Sequence, residues 1–191
     1  MVECCSHFRS WSFRLLINHR VNHVSIIFCN FTIVNDKLYY LPDMVVNSIE
    51  RLRFLCDIMP DLLNQIDDNI FSKKEQNNKW SKKEILGHLI DSATNNHHRF
   101  VRVQFEPNPE IVYDQENWNC FSFYQQMDSR DLIGFWMTYN KHLINLISNI
   151  PKESLSRTCL INGSLLPLQY LIDDYVVHME HHLKQIISYQ Y

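Results

Sequence analysis

The sequence predicts an all-α protein built as a four-helix bundle, and three observations carry that expectation. Apolar residues recur at i, i+3 and i+4 in four long stretches, the spacing of one buried helical face. Glycine and proline are scarce, three and six in 191 residues, too few to turn an all-β sandwich at each of its hairpins. Polar or proline-bearing segments join the stretches, as in a bundle of long helices. With 46% apolar and 20% charged residues, the chain has an ordinary globular composition and enough length to bury a core without disulfides.

Residues 1–43 read differently from the rest. They carry four basic and three acidic side chains and no helical stripe. Val21–Val34 is apolar but broken by Asn22, His23, Asn30 and Thr32, too short and too polar to span a membrane. No charged segment leads into a clean apolar core and a cleavage site, so a signal peptide is not expected, although Arg9, Arg14 and Arg20 also fit a transit peptide. Residues 1–43 are expected to be a poorly ordered extension or an artefact of start-site choice, and residues 44–191 the bundle. The location expected is cytoplasmic.

The first helix runs from Val45 through Ile49, Leu52, Leu55, Met59 and Leu63 to Ile66, with Pro60 placed to kink or divide it. Residues 67–79 are polar and read as a loop. Ser81 and Glu84 form an S-x-x-E capping box, with Trp80 ahead of it set to staple onto Ile85. The second helix then continues to about Phe105, before Pro107 and Pro109. Residues 106–126 read as a long aromatic loop between helices two and three. The third helix spans Ser129–Ser148 behind Asp128 or Ser129 as cap, and Pro151 follows it. After a loop around Asn162-Gly163, the fourth begins near Pro167 and ends near Ser188.

Several function classes drop out. A net charge of −3 supplies no basic field for nucleic acid phosphates. Three scattered glycines build neither a P-loop nor a dinucleotide-binding turn. Six cysteines without a C-x-x-C match no zinc ribbon, and are read as reduced thiols. The histidines are more informative. His178 and His182 lie one turn apart on one face of the fourth helix, within reach of one metal ion. His88 on the second helix is the candidate third ligand. On spacing alone, an H-x-x-x-H also fits two solvent-facing histidines. His97 and His98 point about 100° apart, so both cannot face one site, and His98 is expected to be exposed. Asp91, Ser92, Asn95, Arg99 and Arg102 follow His88 along the helix; they read either as a solvated face or as a polar wall with Arg99 or Arg102 anchoring a carboxylate. Asp174, one turn before His178, could orient an imidazole or equally be a surface acid.

The stretch W-S-K-K-E-I-L-G-H-L-I-D-S-A-T-N-N-H-H-R-F-V-R from Trp80 to Arg102 resembles the second helix of the DinB-like, YfiT-type four-helix bundles. Trp136-x-x-Tyr139-Asn140-x-His142-Leu143 and Asp174-Tyr175-x-x-His178-Met179-Glu180-His181-His182-Leu183-Lys184-Gln185-Ile186 are similar to helices three and four of that family. The likeness runs from about Met44 to about Tyr189. It departs at Leu165-Leu166-Pro167-Leu168, where relatives carry a Ser or Thr cap.

The resemblance implies a divalent metal, zinc or nickel, on His88, His178 and His182. It implies a homodimer, and chemistry on a small molecule by thiol transfer or hydrolysis, with a low-molecular-weight thiol as a possible partner. Three neutral imidazoles leave such an ion an open position, where a water or thiol is acidified. Asp91 is the first candidate for general base or for a carboxylate behind the ligands, and Trp118 and Tyr124 for an apolar pocket wall; both aromatics could instead cap the bundle end. A non-catalytic reading, in which the metal braces a small-molecule-binding or stress-response bundle, calls for a fourth protein ligand from His181, Glu180, Asp91 or Cys159.

Overall fold

A computed structural model describes residues 32–34, 37–39, 44–76 and 78–191. The chain divides into two units, Met1–Pro42 and Asp43–Tyr191. In the first, β1 (Thr32–Val34) and β2 (Lys37–Tyr39) pair antiparallel, Thr32 opposite Tyr39. The rest of the expected extension lies outside the described residues.

The second unit is helical. Its first helix, α1 (Met44–Asn64), runs through Pro60 undivided. Pro60 stands near the end of the helix, so little helix remains to be broken off. Buried Leu52, Leu55, Cys56, Met59 and Leu63 keep one stripe on the core across it. A short helix, α2 (Asp68–Ser72), replaces part of the expected 67–79 loop. The Asp67 carboxylate accepts from Asn69 N–H at 3.0 Å, and Phe71 is buried in the core. A lone apolar anchor of this kind leaves no periodic signature.

The next long helix, α3 (Lys82–Arg102), starts on the expected capping box: Glu84 N–H donates to Ser81 Oγ at 3.1 Å, and Ser81 N–H to Glu84 Oε2 at 2.8 Å. The aromatic connection after it is not simply a loop. It holds α4 (Gln115–Phe121), capped by Asp114, and a 3-10 turn at Tyr124–Gln126. Then α5 (Ser129–Ser148) follows its Asp128 cap.

Between α5 and the last helix lies an unforeseen hairpin, β3 (Thr158–Ile161) with β4 (Ser164–Pro167). Asn162 and Gly163 close it with φ of 49° and 80°, the left-handed pair that a two-residue hairpin turn needs. The last helix, α6 (Leu168–Ile186), has no side-chain cap at Pro167. Backbone carbonyls do that work: Leu168 N–H donates to Arg157 O at 2.8 Å and Gln169 N–H to Leu155 O at 3.0 Å.

The four long helices are those expected, but their arrangement is not sequential. Both α1 and α3 pack chiefly against α5 and α6. The first two long helices therefore stand diagonally, each between the last two. Trp136, Phe100, Tyr175 and a set of leucines fill the centre. One polar pair is sealed there: Tyr175 donates its hydroxyl to Asn140 Oδ1 at 2.6 Å, and Asn140 Nδ2 donates to Trp136 O at 2.8 Å. The α3–α6 contact sets the functional site.

Candidate metal centre

His88 sits on the face of α3 that meets α6, where α6 presents His178 and His182. The ligand atoms of the three histidines lie within 4.8 Å of one another. His88 Nε2 and His178 Nε2 are 3.3 Å apart. Two nitrogens held about 2.0–2.1 Å from one tetrahedral ion would stand about 3.3–3.4 Å apart. The ring centroids are 4.6–5.2 Å apart and the rings are turned about 70° to one another. Three neutral lone pairs converging on one point fit a divalent borderline ion.

The electrostatics agree. His88 is fully buried, and desolvation with the neighbouring His178 and His182 pushes its pKa down to about 3. Burial and His182 push His178 down to about 4, and burial lowers His182 as well. Each imidazole therefore stays unprotonated at neutral pH, as metal ligation requires.

The support behind the rings is uneven. His182 Nδ1 lies 3.1 Å from Gln185 Oε1, and Gln185 Nε2 reaches His181 Nε2 at 2.9 Å. With His182 donating Nδ1–H to Gln185, its Nε2 lone pair is left for an ion. His88 Nδ1 is buried without a hydrogen-bond partner; packing holds that ring instead, with the Trp80 indole 4.9 Å away and tilted 37°. The sequence read Trp80 as a staple on Ile85; in the fold it backs a candidate ligand.

Asp91 lies one turn beyond His88. Tyr124 donates its hydroxyl to Asp91 Oδ1 at 2.5 Å, while Oδ2 is buried and unpartnered. Desolvation raises the Asp91 pKa to about 6 against the pull of the Tyr124 and Ser122 hydroxyls. Tyr124 reaches it because residue 87 is glycine: a Cβ there would overlap the Tyr124 ring. A glycine inside a well-formed helix, one turn ahead of Asp91, is the sequence signal for that close approach. Tyr124 is thus buried against Gly87 and Asp91 rather than open as a pocket wall.

The other predicted residues fall in a different place. Asn95, Arg102 and Trp118 line a cleft of about 460 Å³ together with Thr94, His98 and Glu110, and no member of the histidine trio lines it. His98 is exposed, as expected. Arg102 forms a bidentate pair with Glu106 at 2.8 and 2.7 Å. Arg99 is a fastener: Nε and Nη2 donate to Ile111 O at 3.3 and 3.0 Å, and Nη1 to Asn96 Oδ1 at 3.3 Å. It holds the segment that leads from α3 toward α4. Asp174 is exposed and makes no hydrogen bond to an imidazole; its pKa is raised on balance by desolvation, with Arg99 opposing.

The offered fourth ligands are engaged elsewhere. Glu180 pairs with Arg51, His181 is exposed on Gln185, Asp91 accepts from Tyr124, and Cys159 is buried with its thiol on Pro109 O at 2.9 Å. Among the described residues the convergent set is three histidines.

The profile of the DinB superfamily matches residues 51–186. The chain belongs to that superfamily. Among the DinB relatives, a protein of Halalkalibacterium halodurans, provisionally named a metal-dependent hydrolase, is 24% identical over 140 residues, covering 72% of this chain and 81% of its own length. A protein of Oceanobacillus iheyensis with the same provisional name is 21% identical over 141 residues, covering 72% and 80%. Among solved structures, YfiT from Bacillus subtilis is described as a probable metal-dependent hydrolase with an unusual four-helix bundle topology. It superposes with a TM-score of 0.71 at 18% identity, over 78% of this chain and 86% of its own. A mycothiol-dependent maleylpyruvate isomerase superposes at 0.61 and 12% identity, over 75% of this chain and 60% of its own. At such identities the structural likenesses establish the DinB fold. Among the described residues, no helix is long and apolar enough to cross a membrane.

Proposed function

We propose that the chain is a divalent-metal-dependent enzyme acting on a small molecule by hydrolysis or thiol transfer, with zinc or nickel held by His88, His178 and His182. The observation that carries this reading is the convergence of three desolvated imidazoles with no fourth protein ligand among the described residues. When bound, the ion supplies Lewis acidity that makes a water or thiol nucleophilic near neutral pH.

The chain's own groups supply the rest. Gln185 and Trp80 hold His182 and His88 in place. Asp91, with its pKa near 6 and Oδ2 free of protein partners, takes or returns a proton one turn from His88. Tyr124 fixes its orientation. Asn95, Arg102 and Trp118 offer polar and aromatic groups for the body of a substrate. The names of the bacterial relatives favour hydrolysis. A low-molecular-weight thiol is the second reading, supported by the likeness to the mycothiol-dependent isomerase. A cytoplasmic homodimer belongs to the same proposal; sedimentation at micromolar concentration showing a monomer would remove the dimer.

The test is metal content by mass spectrometry on protein loaded with zinc or nickel and dialysed. One tightly held equivalent, lost in both His88→Ala and His178→Ala, is expected. Activity arms with ester substrates, and with a thiol plus an electrophile, then separate the two reactions. If the wild-type protein retains no metal after reconstitution, the enzyme reading gives way to a non-catalytic binding bundle.

A further inference from the structure

His97 lies nine residues after His88, half a turn round the helix, so the two rings leave α3 on opposite sides. His88 meets α6; His97 meets α5. There it faces His142, with ring centroids 5.1 Å apart and planes at 68°. Those values match the pairs of the three-histidine centre, at 4.6–5.2 Å and 70–72°. His97 also has its orientation fixed: Nδ1 lies 3.0 Å from the Tyr139 hydroxyl. The Tyr139 ring stacks on Phe135 at 5.8 Å with planes 1° apart, so the phenol is itself held. Where His97 donates Nδ1–H to the phenol oxygen, Nε2 carries the free lone pair, the tautomer in which ligating histidines are held.

We propose that His97 and His142 form a second site for a divalent transition-metal ion of the zinc, nickel and copper class, bridging α3 and α5, with Tyr139 as the positioning residue. Imidazole pairs suit these ions. Among the described residues no carboxylate forms an ion pair with either ring. His142 is exposed and His97 half-buried, so an ion enters from solvent without opening the bundle, and water completes its shell. Two protein ligands make this the weaker of the two sites. An ion there adds a cross-link between two helices that already pack together, so occupancy stiffens the α3–α5 contact.

The test uses the full chain carrying His178→Ala and His182→Ala, which leaves only His88 of the first centre. Titration with zinc chloride by calorimetry is expected to show one equivalent in that background. Adding His142→Ala or His97→Ala is expected to abolish it. Tyr139→Phe is expected to weaken it about tenfold, and His98→Ala to leave it unchanged. In the wild-type protein, the second zinc equivalent is expected to shift the imidazole resonances of His97 and His142, a readout that does not depend on any variant folding. A background that binds no zinc, zinc that survives His97→Ala and His142→Ala, or resonances unmoved by the second equivalent would overturn the proposal. None of these outcomes bears on the three-histidine centre, whose own test is the loss of the first equivalent.

Discussion

Helix α3 carries two histidine clusters on opposite faces, and they differ in almost everything but ring geometry. At His88, burial removes water on all sides and holds the pKa near 3. At His97, the shift is also downward, from burial and the neighbouring His142 and His98, but the ring is half-exposed and His142 is open to solvent. One cluster has three imidazoles backed by an indole and an amide; the other has two backed by a phenol. The difference teaches that imidazole spacing is cheap to repeat along a bundle. What distinguishes the candidate metal centre is desolvation, which keeps every ligand neutral and leaves an ion little competing water.

The largest way to break that comparison is His178→Ala. It removes one of three ligands from a buried site, and metal affinity there should fall at least about 100-fold, while the His97 face is untouched; competition with a chelator reads this. Next is Gly87→Val, whose side chain evicts the Tyr124 ring. Forcing bulk into a filled space should lower stability by about 1–3 kcal/mol in urea unfolding, and take from Asp91 the hydroxyl that holds its pKa down against burial.

Acid sharpens the contrast. Buried neutral His88 and His178 gain protons on unfolding between about pH 6.5 and 4. Metal-free protein should therefore lose stability as pH falls through that window, and His178→Ala should flatten the slope. Asp91 runs the other way. Its raised pKa means its ionisation opposes folding above about pH 6, so Asp91→Asn should raise Tm at pH 7.5, and the gain should fade as pH falls from 6 toward 3.8. The smallest effect is expected at the surface: Arg102→Ala breaks a half-exposed i, i+4 pair with Glu106 and should change Tm little. Any weakening of substrate binding in that variant would then report the cleft and not the fold.

The readable part of the fold was local. The Ser81–Glu84 box, the Asp128 cap and the apolar stripes are short-range patterns, and they mark where the helices start and what they bury. The unreadable part depended on single residues acting at a distance. Phe71 anchors α2, the Asn162-Gly163 turn closes a hairpin of two four-residue strands, and Asp114 caps a seven-residue helix; none is long enough to show a period. Arg99 looked like a ligand anchor because its sequence position says nothing of the Ile111 carbonyl it holds.

By itself, the sequence determined the four helices, the one-turn spacing of His178 and His182, and the presence of a histidine near the start of the second long helix, because helical periodicity fixes which residues share a face. It did not determine which helices touch. The diagonal placement of α1 and α3 comes from how four apolar stripes close one core, and that closure brings His88 onto α6 and turns His97 toward α5. It also brings Tyr124 over Gly87 onto Asp91, a contact between residues 33 apart in the chain. Desolvation then follows from packing alone, since only a closed core excludes the water that would otherwise keep these imidazoles and this carboxyl at their ordinary pKa values.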